Sequence, residues 1–464
     1  MGLFSAHFAA LLLSVMLVVI KAEVHHYDFV LKEKNFTRLC STKSMLVVNE
    51  SIPGPVIRVH KGDTVYVNFQ NQANYGLTIH WHGVMQPRNP WSDGDWFEVD
   101  VNYVIHEELK VGGFSMHEPN CSTFNSQPGD FHDCFKVDVH MDELTFFAIA
   151  GHNLTVIGTD GAHIKPIVAS YIMMAPRQTM DILVTTNQSL GEYHMATRNY
   201  YSTTTVHPSH YTQINATAIL QYRGNYNSSS LSFPSSILPY YTDYKAGIDF
   251  IPILIYGCKL KHCFMVGSYS KCIRCLLLNI TGFYTTDFPD EPPTYCNFLK
   301  EYLGLNVTQS FMAAKVKLLD YNEEVEIVFQ STNVLNSAQN HPMHLHGHSF
   351  YVVGLGEGIF NSNEDPKGYN LIDPPYQNTA IVPKLGWFAL RFRASNPGVW
   401  FMHCHIEHYY TYGMNTIFLV KNGGTPETSM QERPLNMPSS GSSSIHGIQK
   451  SKNSAKTLDK LNMI

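Results

Sequence analysis

The sequence predicts an all-β protein made of three β-sandwich domains. Gly (31 residues) and Pro (24 residues) occur throughout the chain and aromatic residues reach 12%, which is typical of turn-rich β proteins. At roughly 150 residues per domain, the 464 residues suggest about three domains. A strand–turn–strand pattern also occurs twice in the chain. These features exclude a coiled coil, a collagen, a disordered chain and a polytopic membrane protein.

The charge balance excludes two classes of partner. Charged residues make up 15% of the chain, against about 25% in an ordinary soluble domain. The net charge is −6, so there is no basic surplus to bind nucleic acid or an anionic membrane. Histidine is the unusual residue, with 24 copies against 32 Lys plus Arg. Since histidine is the commonest metal ligand, the positions of these residues matter most.

Two segments at an offset of 260 residues share one pattern. Residues 56–70 and 316–330 each consist of apolar alternation, a polar turn and a second alternation, which predicts two strands. Val65 matches Val325, and Phe69 matches Phe329. A His-x-His pair follows each segment, which favours domain duplication over chance similarity. A weaker third copy at residues 175–184 is followed by no such pair.

The repeat sets the expected domain boundaries. We expect a signal peptide at 1–22, a truncated first domain at 23–100, a second domain without metal ligands at 101–250, and a third domain at 285–425. Residues 251–284 form a divergent, Cys-rich connector. Residues 426–464 are polar and rich in Ser, and their composition predicts a disordered tail.

The N-terminus and the sequons predict export. Residues 3–20 are mostly apolar and the small Ala22 stands at the expected cleavage position, as in a secretory signal peptide. The alternative is a membrane anchor, because the apolar run is long enough to span a bilayer. Asn-x-Ser/Thr sequons, the acceptor sites of N-glycosylation, begin at Asn35, Asn49, Asn120, Asn153, Asn187, Asn215, Asn227, Asn279 and Asn306. The sequence therefore predicts a secreted glycoprotein.

The chain has nine cysteines, and an oxidising compartment permits disulfides between them. Because the count is odd, at least one stays unpaired unless it pairs with another chain. Cys258, Cys263, Cys272 and Cys275 allow a four-thiolate zinc site as an alternative. Their irregular spacing favours disulfides or free thiols instead.

Three His-x-His pairs predict a metal centre: His80/His82, His344/His346 and His403/His405. On a strand, residues i and i+2 point to the same side, so each pair presents two imidazoles together. The third pair encloses Cys404, whose side chain then points the opposite way. A thiolate with two imidazoles and a weak thioether is the blue-copper arrangement. Zinc has no redox chemistry and would gain nothing from adjacent sites joined through Cys404.

The residues around these pairs resemble the copper motifs of multicopper oxidases, and more narrowly those of plant laccases. The motifs are HWHG at 80–83, HPMHLHGHSFYVVG at 341–354 and WFMHCHIE at 400–407. Supporting stretches include IPGPVI at 52–57, GHNLTVIGTDGA at 151–162 and YNLIDPPYQNT at 369–379. The resemblance runs from about 24 to 424 with interruptions. It implies three cupredoxin-like Greek-key β-sandwich domains, the first of them truncated, and four copper ions.

The resemblance also implies a role for each matching residue. The type 2 copper would be held by His80 and His344, one type 3 copper by His82 and His405, the other by His346 and His403, and the blue copper by Cys404 and His341. Met414 stands at the axial position, as a weak ligand or as a packing residue. Electrons would pass from Cys404 through His403 and His405 to a trinuclear site that reduces dioxygen to water.

The chain departs from the family pattern at two places. A second His-x-His of the first domain is missing, because Gly94 leads directly into sequence that resembles a later part of the family. The nearby His106, His117, His132 and His140 form no substitute pair. The blue site has Tyr409 where the family has a histidine, and His408 lies one residue early. Seven of ten implied histidines remain, so we expect fewer than four coppers.

The resemblance implies a secreted laccase, a benzenediol:oxygen oxidoreductase of the apoplast or cell wall. It would oxidise phenolic, lignin-related compounds by single electrons while reducing dioxygen, in lignin degradation or polymerisation and in detoxification of lignin-derived products. The expected partners are small phenols and dioxygen, with no nucleic acid and no membrane, and the expected state is a monomer. One alternative is a catalytically impaired or inactive copper-binding glycoprotein. An ascorbate-oxidising relative is another, since it would share the copper motifs.

Overall fold

The computed structural model describes residues 22–38, 41–60, 62–74, 79–93, 143–202, 215–226, 237–250, 263–264, 284–285, 288, 290, 297–300, 314–333, 338–406, 409, 414–432 and 457–462. The predicted signal peptide, most of the Cys-rich connector and the sequons at Asn120, Asn227, Asn279 and Asn306 lie outside these residues. The chain forms two compact units: Met1–His80 with Trp91–Phe97 and Arg433–Ile464, and Trp81–Pro90 with Glu98–Glu432.

The described secondary structure is mostly β, as the composition predicts. The strands are β1 (Val24–Arg38), β2 (Ser41–Val48), β3 (Thr64–Asn71), β4 (Leu144–Ile149), β5 (Leu154–Thr159), β6 (Ala162–Ala169), β7 (Ile172–Met174), β8 (Met180–Val184), β9 (Glu192–Tyr200), β10 (Asn215–Gln221), β11 (Cys263–Phe264), β12 (Tyr284–Thr285), β13 (Ala314–Leu319), β14 (Glu324–Gln330), β15 (His341–Leu345), β16 (Phe350–Glu357), β17 (Tyr376–Gln377), β18 (Thr379–Val382), β19 (Gly386–Arg393), β20 (Gly398–Cys404), β21 (Asn415–Val420) and β22 (Thr457–Asn462). Helical structure in the described ranges is limited to α1 (Tyr244–Phe250) and 3-10 turns at Pro90–Ser92, Asp365–Gly368 and Pro426–Thr428. None of the described helices is long and apolar enough to cross a bilayer.

The first unit contains one sheet with the strand order β2-β1-β3-β22. β1 pairs antiparallel with β2 and parallel with β3, and β22 pairs antiparallel with the other edge of β3. Alternation along β3 buries Val65 and Val67, which are 0% and 1% exposed. Leu31 and Val47 from the neighbouring strands are also buried. One face of this sheet therefore carries an apolar core, as expected for half of a sandwich.

The second domain, in the second unit, has the sheets β10-β9-β4-β7 and β6-β5-β8. Its core contains Phe146, Leu154 and Tyr200, and α1 adds Ala246 and Phe250 to it. Alternating burial along β4 and β5 matches the sequence pattern of half-buried strands.

The third domain, in the same unit, is a sandwich of the sheets β11-β14-β19-β16-β17 and β12-β13-β21-β20-β15-β18. Its core draws on both sheets: Ile327 and Leu390 come from the first, and Trp400, Met402 and Phe418 from the second. Burial of each such side chain contributes about 1.5–3 kcal/mol before the entropy of ordering is subtracted. The second sheet of this sandwich carries the His-x-His motifs of β15 and β20, so the packed core fixes the position of the metal candidates.

The repeat prediction holds for three of its four strands. β3, β13 and β14 form as expected, with a tight turn between β13 and β14. Residues 56–60 form no strand, and Val56 is 70% exposed, so that part of the prediction is wrong. The two copies differ in their neighbouring strands, because β13 of the third domain pairs with β12 and β21. Among the described residues of the first unit, no strand pairs with residues 56–60.

Two other expectations need correction. Within the expected connector 251–284, residues 263–264 form β11, which pairs in parallel with β14, while most of the segment lies outside the described residues. The tail after residue 425 is not disordered throughout, because residues 426–428 form a 3-10 turn and β22 lies at residues 457–462. Composition detects a polar segment, whereas an unpaired sheet edge can still recruit such a segment as a strand.

Candidate metal centre

Two neighbouring strands bring two of the three His-x-His motifs together. β15 and β20 are antiparallel, and their register places His344 opposite His403 and Met343 opposite Cys404. The pairing continues past the strand ends, where the His346 N–H donates to the Phe401 carbonyl over 2.8 Å. Because directly opposite residues share a face and i+2 residues share a side, both pairs of imidazoles lie on one face.

Five imidazoles form what we call the histidine cluster: His82, His344, His346, His403 and His405. The ring centroid of His344 lies 4.2 Å from that of His82, 4.8 Å from that of His346 and 4.6 Å from that of His405. The ring of His403 lies 5.2 Å from that of His346 and 4.9 Å from that of His405. His82 is half-buried and the other four are buried. The structure therefore gathers five of the predicted ligand residues in one place.

Backbone carbonyls fix the tautomers of two members. A carbonyl can only accept, so His344 Nδ1–H donates to the Asn378 carbonyl over 2.9 Å. In the same way His403 Nδ1–H donates to the Cys404 carbonyl over 3.0 Å. In the neutral rings both Nε2 atoms then carry lone pairs. His403 Nε2 lies 3.1 Å from His346 Nε2, so two ring nitrogens point at each other across a short gap. Metal-binding histidines usually have this arrangement, in which one ring nitrogen donates to a protein acceptor and the other is left to bind the metal.

Burial favours the neutral form of two members of the cluster, His344 and His405. It lowers the pKa of His344 well below the ordinary histidine value, and the neighbouring imidazoles lower it further. Burial also lowers the pKa of His405, and the neighbouring His403 lowers it further. Metal ligation requires the neutral imidazole, so at neutral pH these side chains stand in the protonation state that binds a cation.

The donor set fits a transition metal. Imidazole suits copper, zinc, iron and nickel. His405 is 3% exposed, and within the described residues neither of its ring nitrogens has a hydrogen-bond partner. A buried polar group in that condition costs about 1–3 kcal/mol unless something else satisfies it. A cation among the five rings would satisfy it, so the residues present fit a copper site.

Asp160, which the sequence motifs did not single out as functional, supports the cluster from the second domain. Its Oδ2 accepts the backbone N–H groups of Asn378 (3.2 Å) and Thr379 (3.0 Å). Asn378 supplies the carbonyl that holds His344, so Asp160 orients that histidine through one intervening residue. Burial raises the pKa of Asp160, and the three backbone N–H groups that it accepts oppose that rise. The only sequence signal was its place in the family-like stretch 151–162.

The side chain of Cys404 lies on the other side of β20 from those of His403 and His405. Its Sγ lies 3.9 Å from His341 Nδ1, and the thiol is fully buried. The Cys404 N–H donates to the carbonyl of Met414, which is itself buried in the same core. Tyr409, at the position where the family has a histidine, packs edge-on against the His341 ring at 4.6 Å. His408 lies outside the described residues.

His80 belongs to the first unit, where its Nδ1 lies 2.8 Å from Asp93 Oδ1. A carboxylate accepts only, so the Nδ1–H donates and Nε2 is left as the coordinating nitrogen. This carboxylate–histidine pair, like the carbonyl–histidine pairs above, is typical of metal ligands. Asp93 was not named from the sequence. The four histidines considered as substitutes, at 106, 117, 132 and 140, lie outside the described residues.

Comparison with known families agrees with this geometry. Models of the multicopper oxidase family match residues 30–104, 94–225 and 285–424. Laccase-21 of Oryza sativa subsp. japonica is 35% identical over 89% of this chain and 94% of its own length. The chain belongs to the multicopper oxidase family. Laccase-14 of Arabidopsis thaliana is 34% identical over 91% of this chain and 95% of its own length.

Solved multicopper oxidases share the fold. The laccase from Botrytis aclada superposes with a TM-score of 0.56 at 20% identity, covering 89% of both chains. Fet3p, a multicopper oxidase that functions in iron import, gives 0.52 at 18% identity over 86% of this chain and 90% of that one. With the three family segments, these likenesses confirm the predicted all-β fold of three cupredoxin domains.

The alignments also show that this multicopper oxidase is short. The match to the rice laccase runs over 558 residues, more than the 464 of the chain, so the relative carries segments that are missing here. The segment matched to the first family model is shorter than the other two, and the second match begins inside it, at residue 94. This is the point where the sequence pattern breaks off.

Proposed function

We propose that this multicopper oxidase is a laccase-type enzyme, which oxidises phenolic, lignin-related compounds by single electrons and reduces dioxygen to water. The observation that carries the proposal is the buried histidine cluster, joined by one strand to a buried cysteine. Copper, when bound, would supply the one-electron redox chemistry and the reaction with oxygen. The plant relatives are named laccases, which supports a laccase-type activity.

The chain's own residues have separate tasks in this proposal. His82, His344, His346, His403 and His405 would hold the metal ions that react with oxygen. His80, held by Asp93, is a further candidate ligand in the first unit. Cys404 and His341 would hold the metal ion that accepts the electron from the phenol. Because Cys404 lies between His403 and His405 in the chain, a short covalent path joins the two groups. Carbonyl and carboxylate acceptors at Nδ1 orient the imidazoles so that Nε2 faces inward.

A second candidate is a copper-binding glycoprotein with weak or no turnover. The observation that favours it is Tyr409, which packs against His341 in place of an imidazole. A blue site needs two imidazoles and a thiolate. His341 lies 3.9 Å from the Cys404 thiol, and His408 lies outside the described residues. The missing part of the first domain removes further expected ligands.

One experiment separates the two candidates. The secreted protein is expressed, its copper per chain is counted, its visible and paramagnetic spectra are recorded, and oxygen uptake is measured with a phenol and with ascorbate. A blue thiolate band and phenol-dependent oxygen uptake support the laccase. Copper bound without a blue band and without oxygen uptake supports the second candidate. Uptake with ascorbate alone points to the ascorbate-oxidising alternative.

A pair of histidine variants tests the cluster itself. His344→Ala removes the member whose ring lies beside those of all four other members and should lower the copper content. His152→Ala is the matched control: it is buried, but its Nδ1 lies 2.7 Å from the Ala150 carbonyl and its Nε2 lies 2.6 Å from the Tyr222 hydroxyl. If both variants keep the full copper content, the cluster is not the copper site.

We also propose that the chain is a secreted, monomeric glycoprotein of the apoplast or cell wall, without a nucleic-acid or membrane partner. The sequons support this proposal, because Asn35, Asn49, Asn153, Asn187 and Asn215 are all exposed. The Asn49 side chain also holds its turn, accepting from the Val30 N–H and donating to the Asp28 carbonyl. Enzymatic removal of N-glycans from protein secreted by plant cells should lower its apparent mass, and an unchanged mass would contradict the proposal.

A further inference from the structure

β22, near the C-terminus, occupies a position that the repeat allows us to identify. β3 of the first unit and β14 of the third domain are the matching strands of the two copies, at an offset of 260 residues. Each has one parallel neighbour: β1 for β3, and β11 for β14. Each also has one antiparallel neighbour: β22 for β3, and β19 for β14.

The registers of the two antiparallel pairs coincide. Val65 pairs with Leu461, and its counterpart Val325 pairs with Phe392. Phe69 pairs with Thr457, and its counterpart Phe329 pairs with Phe388. All six pairs of β22 keep the same offset from the pairs of β19. Both antiparallel partners therefore pair without a bulge along the same stretch of the matching strands, residues 64–69 of β3 and 324–329 of β14.

The family pattern of the first domain breaks off at Gly94, before the position at which a counterpart of β19 would stand. In the third domain the strand is β19, at residues 386–393. At the same offset, residues 126–133 lie beyond the first family match, which ends at residue 104, and inside the next match, at residues 94–225. Relatives carry segments that this chain lacks, and the family matches place the break after residue 93.

β3 requires a neighbour on this side. Val65 and Val67 are buried like the residues of a central strand, and an open edge would leave a row of backbone N–H and C=O groups unpaired. An added strand supplies main-chain hydrogen bonds to such an edge whatever its side chains are, as in donor-strand complementation. A polar C-terminal segment is therefore sufficient for the role.

We propose that the C-terminal segment 457–462 complements the first-domain sheet, taking the place of the strand that the shortened domain no longer provides. The interaction is intramolecular, and the C-terminal segment pairs with the edge of β3 that lies opposite β1. It follows that the tail stabilises the first unit and shields β3 from pairing with another chain.

Hydrogen exchange on proline variants tests the pairing. Successive backbone N–H groups of a strand point to opposite edges. The double variant Leu458→Pro, Asp459→Pro therefore removes one N–H that faces β3, whichever of the two residues carries it. The amides of residues 64–71 should then exchange about tenfold faster or more. The amides of residues 324–330 serve as internal reference, and Ser451→Pro, outside the paired segment, is the matched control. Equal exchange of residues 64–71 in the wild type and the double variant overturns the proposal.

A cleavage experiment covers the case in which the double variant does not fold. A protease site is inserted between residues 441 and 451 of the full chain, and the folded, secreted protein is cut. The C-terminal fragment should co-elute with the body in size-exclusion chromatography. A synthetic peptide of residues 455–464 in excess should displace it, and a scrambled peptide should not. A fragment that elutes separately straight after cleavage overturns the proposal.

Discussion

At the scale of single residues, the candidate centre depends on acceptors that hold the far nitrogen of each imidazole. His344 is held by the carbonyl of Asn378, and that segment is held by Asp160. Such partners tune ligand basicity and ring orientation, and their loss typically costs 10- to 100-fold in metal affinity. Asp160 thus belongs to the centre although it lies in the second domain and touches none of the five rings.

Asp160→Asn should weaken copper binding by about 10- to 100-fold without removing a ligand. Asn tolerates the positive φ of 49° at this position, but its NH₂ group would face a backbone N–H of Thr179 or of residues 378–379. We expect a stability loss of about 1–3 kcal/mol. Copper competition titration measures the first effect and denaturant unfolding the second. The exposed Asp181→Asn on the same side of the second domain is the control, and equal affinity in both variants would refute the role of Asp160.

Tyr409→His should create or strengthen the blue site. The second imidazole beside Cys404 and His341 would complete the two-nitrogen, one-thiolate set of blue copper. We expect an intense visible thiolate band and about one additional copper per chain. Tyr409→Phe is the control, because it keeps the ring that packs on His341 and adds no donor. If the His and Phe variants have the same spectrum, the loop that carries residue 409 does not direct it toward the metal.

Asp63 makes the first unit sensitive to acid. Its carboxylate accepts the backbone N–H groups of Glu23 and His60 and contacts His25 Nε2, and these bonds lower its pKa from 3.8 to about 2. A lowered folded-state pKa gives stability that is present above about pH 4 and is lost as the pH falls toward 2. Asp63→Asn should remove this part of the pH dependence. Urea midpoints measured from pH 5 to pH 2 check it, and parallel curves for both proteins would contradict it.

At the scale of elements, the end of β15 shows how the core fixes the ligands. Gly347 follows His346 with a φ of +65°, and a Cβ there would collide with the ring of Trp400, which is fully buried. The absence of a side chain lets the turn pass over the indole, and this sets the direction in which His346 leaves the strand.

Gly347→Ala should therefore destabilise the protein by about 2–4 kcal/mol and reduce the copper content. About 1–2 kcal/mol comes from the left-handed backbone and the rest from the clash with Trp400. Gly358→Ala is the matched control, because Gly358 has a φ of +83° and open space around its Cβ position. The difference between the two variants in thermal unfolding isolates the clash. Equal losses would show that Trp400 yields without cost.

Strand periodicity predicted much at this scale. His344 and His346 share a side, as do His403 and His405, because the spacing of two is a local property of a strand. The pairing of β15 with β20 requires the whole sandwich and could not be obtained from spacing alone. At residues 56–60 periodicity predicted a strand that does not form. The apolar alternation is typical of a strand, but no described strand pairs with these residues. Asp160 and Asp93 were missed because their partners are distant in sequence or belong to the backbone.

At the scale of the whole chain, duplication explains both the successes and the errors. The shared offset gave β3 and β14 correctly, and the antiparallel pairing of each then led to the comparison of β22 with β19. The prediction of a disordered tail rests on the average polarity of its residues. Average polarity contains no information about a sheet edge with which the tail can pair. The shortened first domain thus bears on both levels, since the sequence lacks expected ligands there and we propose that the tail supplies a strand to its sheet.

Copper removal tests the coupling between the metal centre and the stability of the molecule. A ligand that binds the native state stabilises it by about 2.7 kcal/mol at a concentration 100 times its Kd. Five imidazoles from β15, from β20 and its flank, and from the segment around residue 82 meet in the second unit, so loss of the metal should loosen all three. We expect chelation to lower the melting temperature by roughly 5–10 °C, at about 2–4 °C per kcal/mol.

Variants decide whether this loss comes from the cluster. In His344→Ala, chelation should change the melting temperature much less than in the wild type, because the metal is already bound more weakly. In His152→Ala, the protein should melt at a lower temperature but keep the full chelation effect, since both nitrogens of His152 are satisfied by protein groups. A chelation effect of equal size in all three proteins would mean that the stabilising metal binds elsewhere, because only the cluster variant removes one of the five imidazoles.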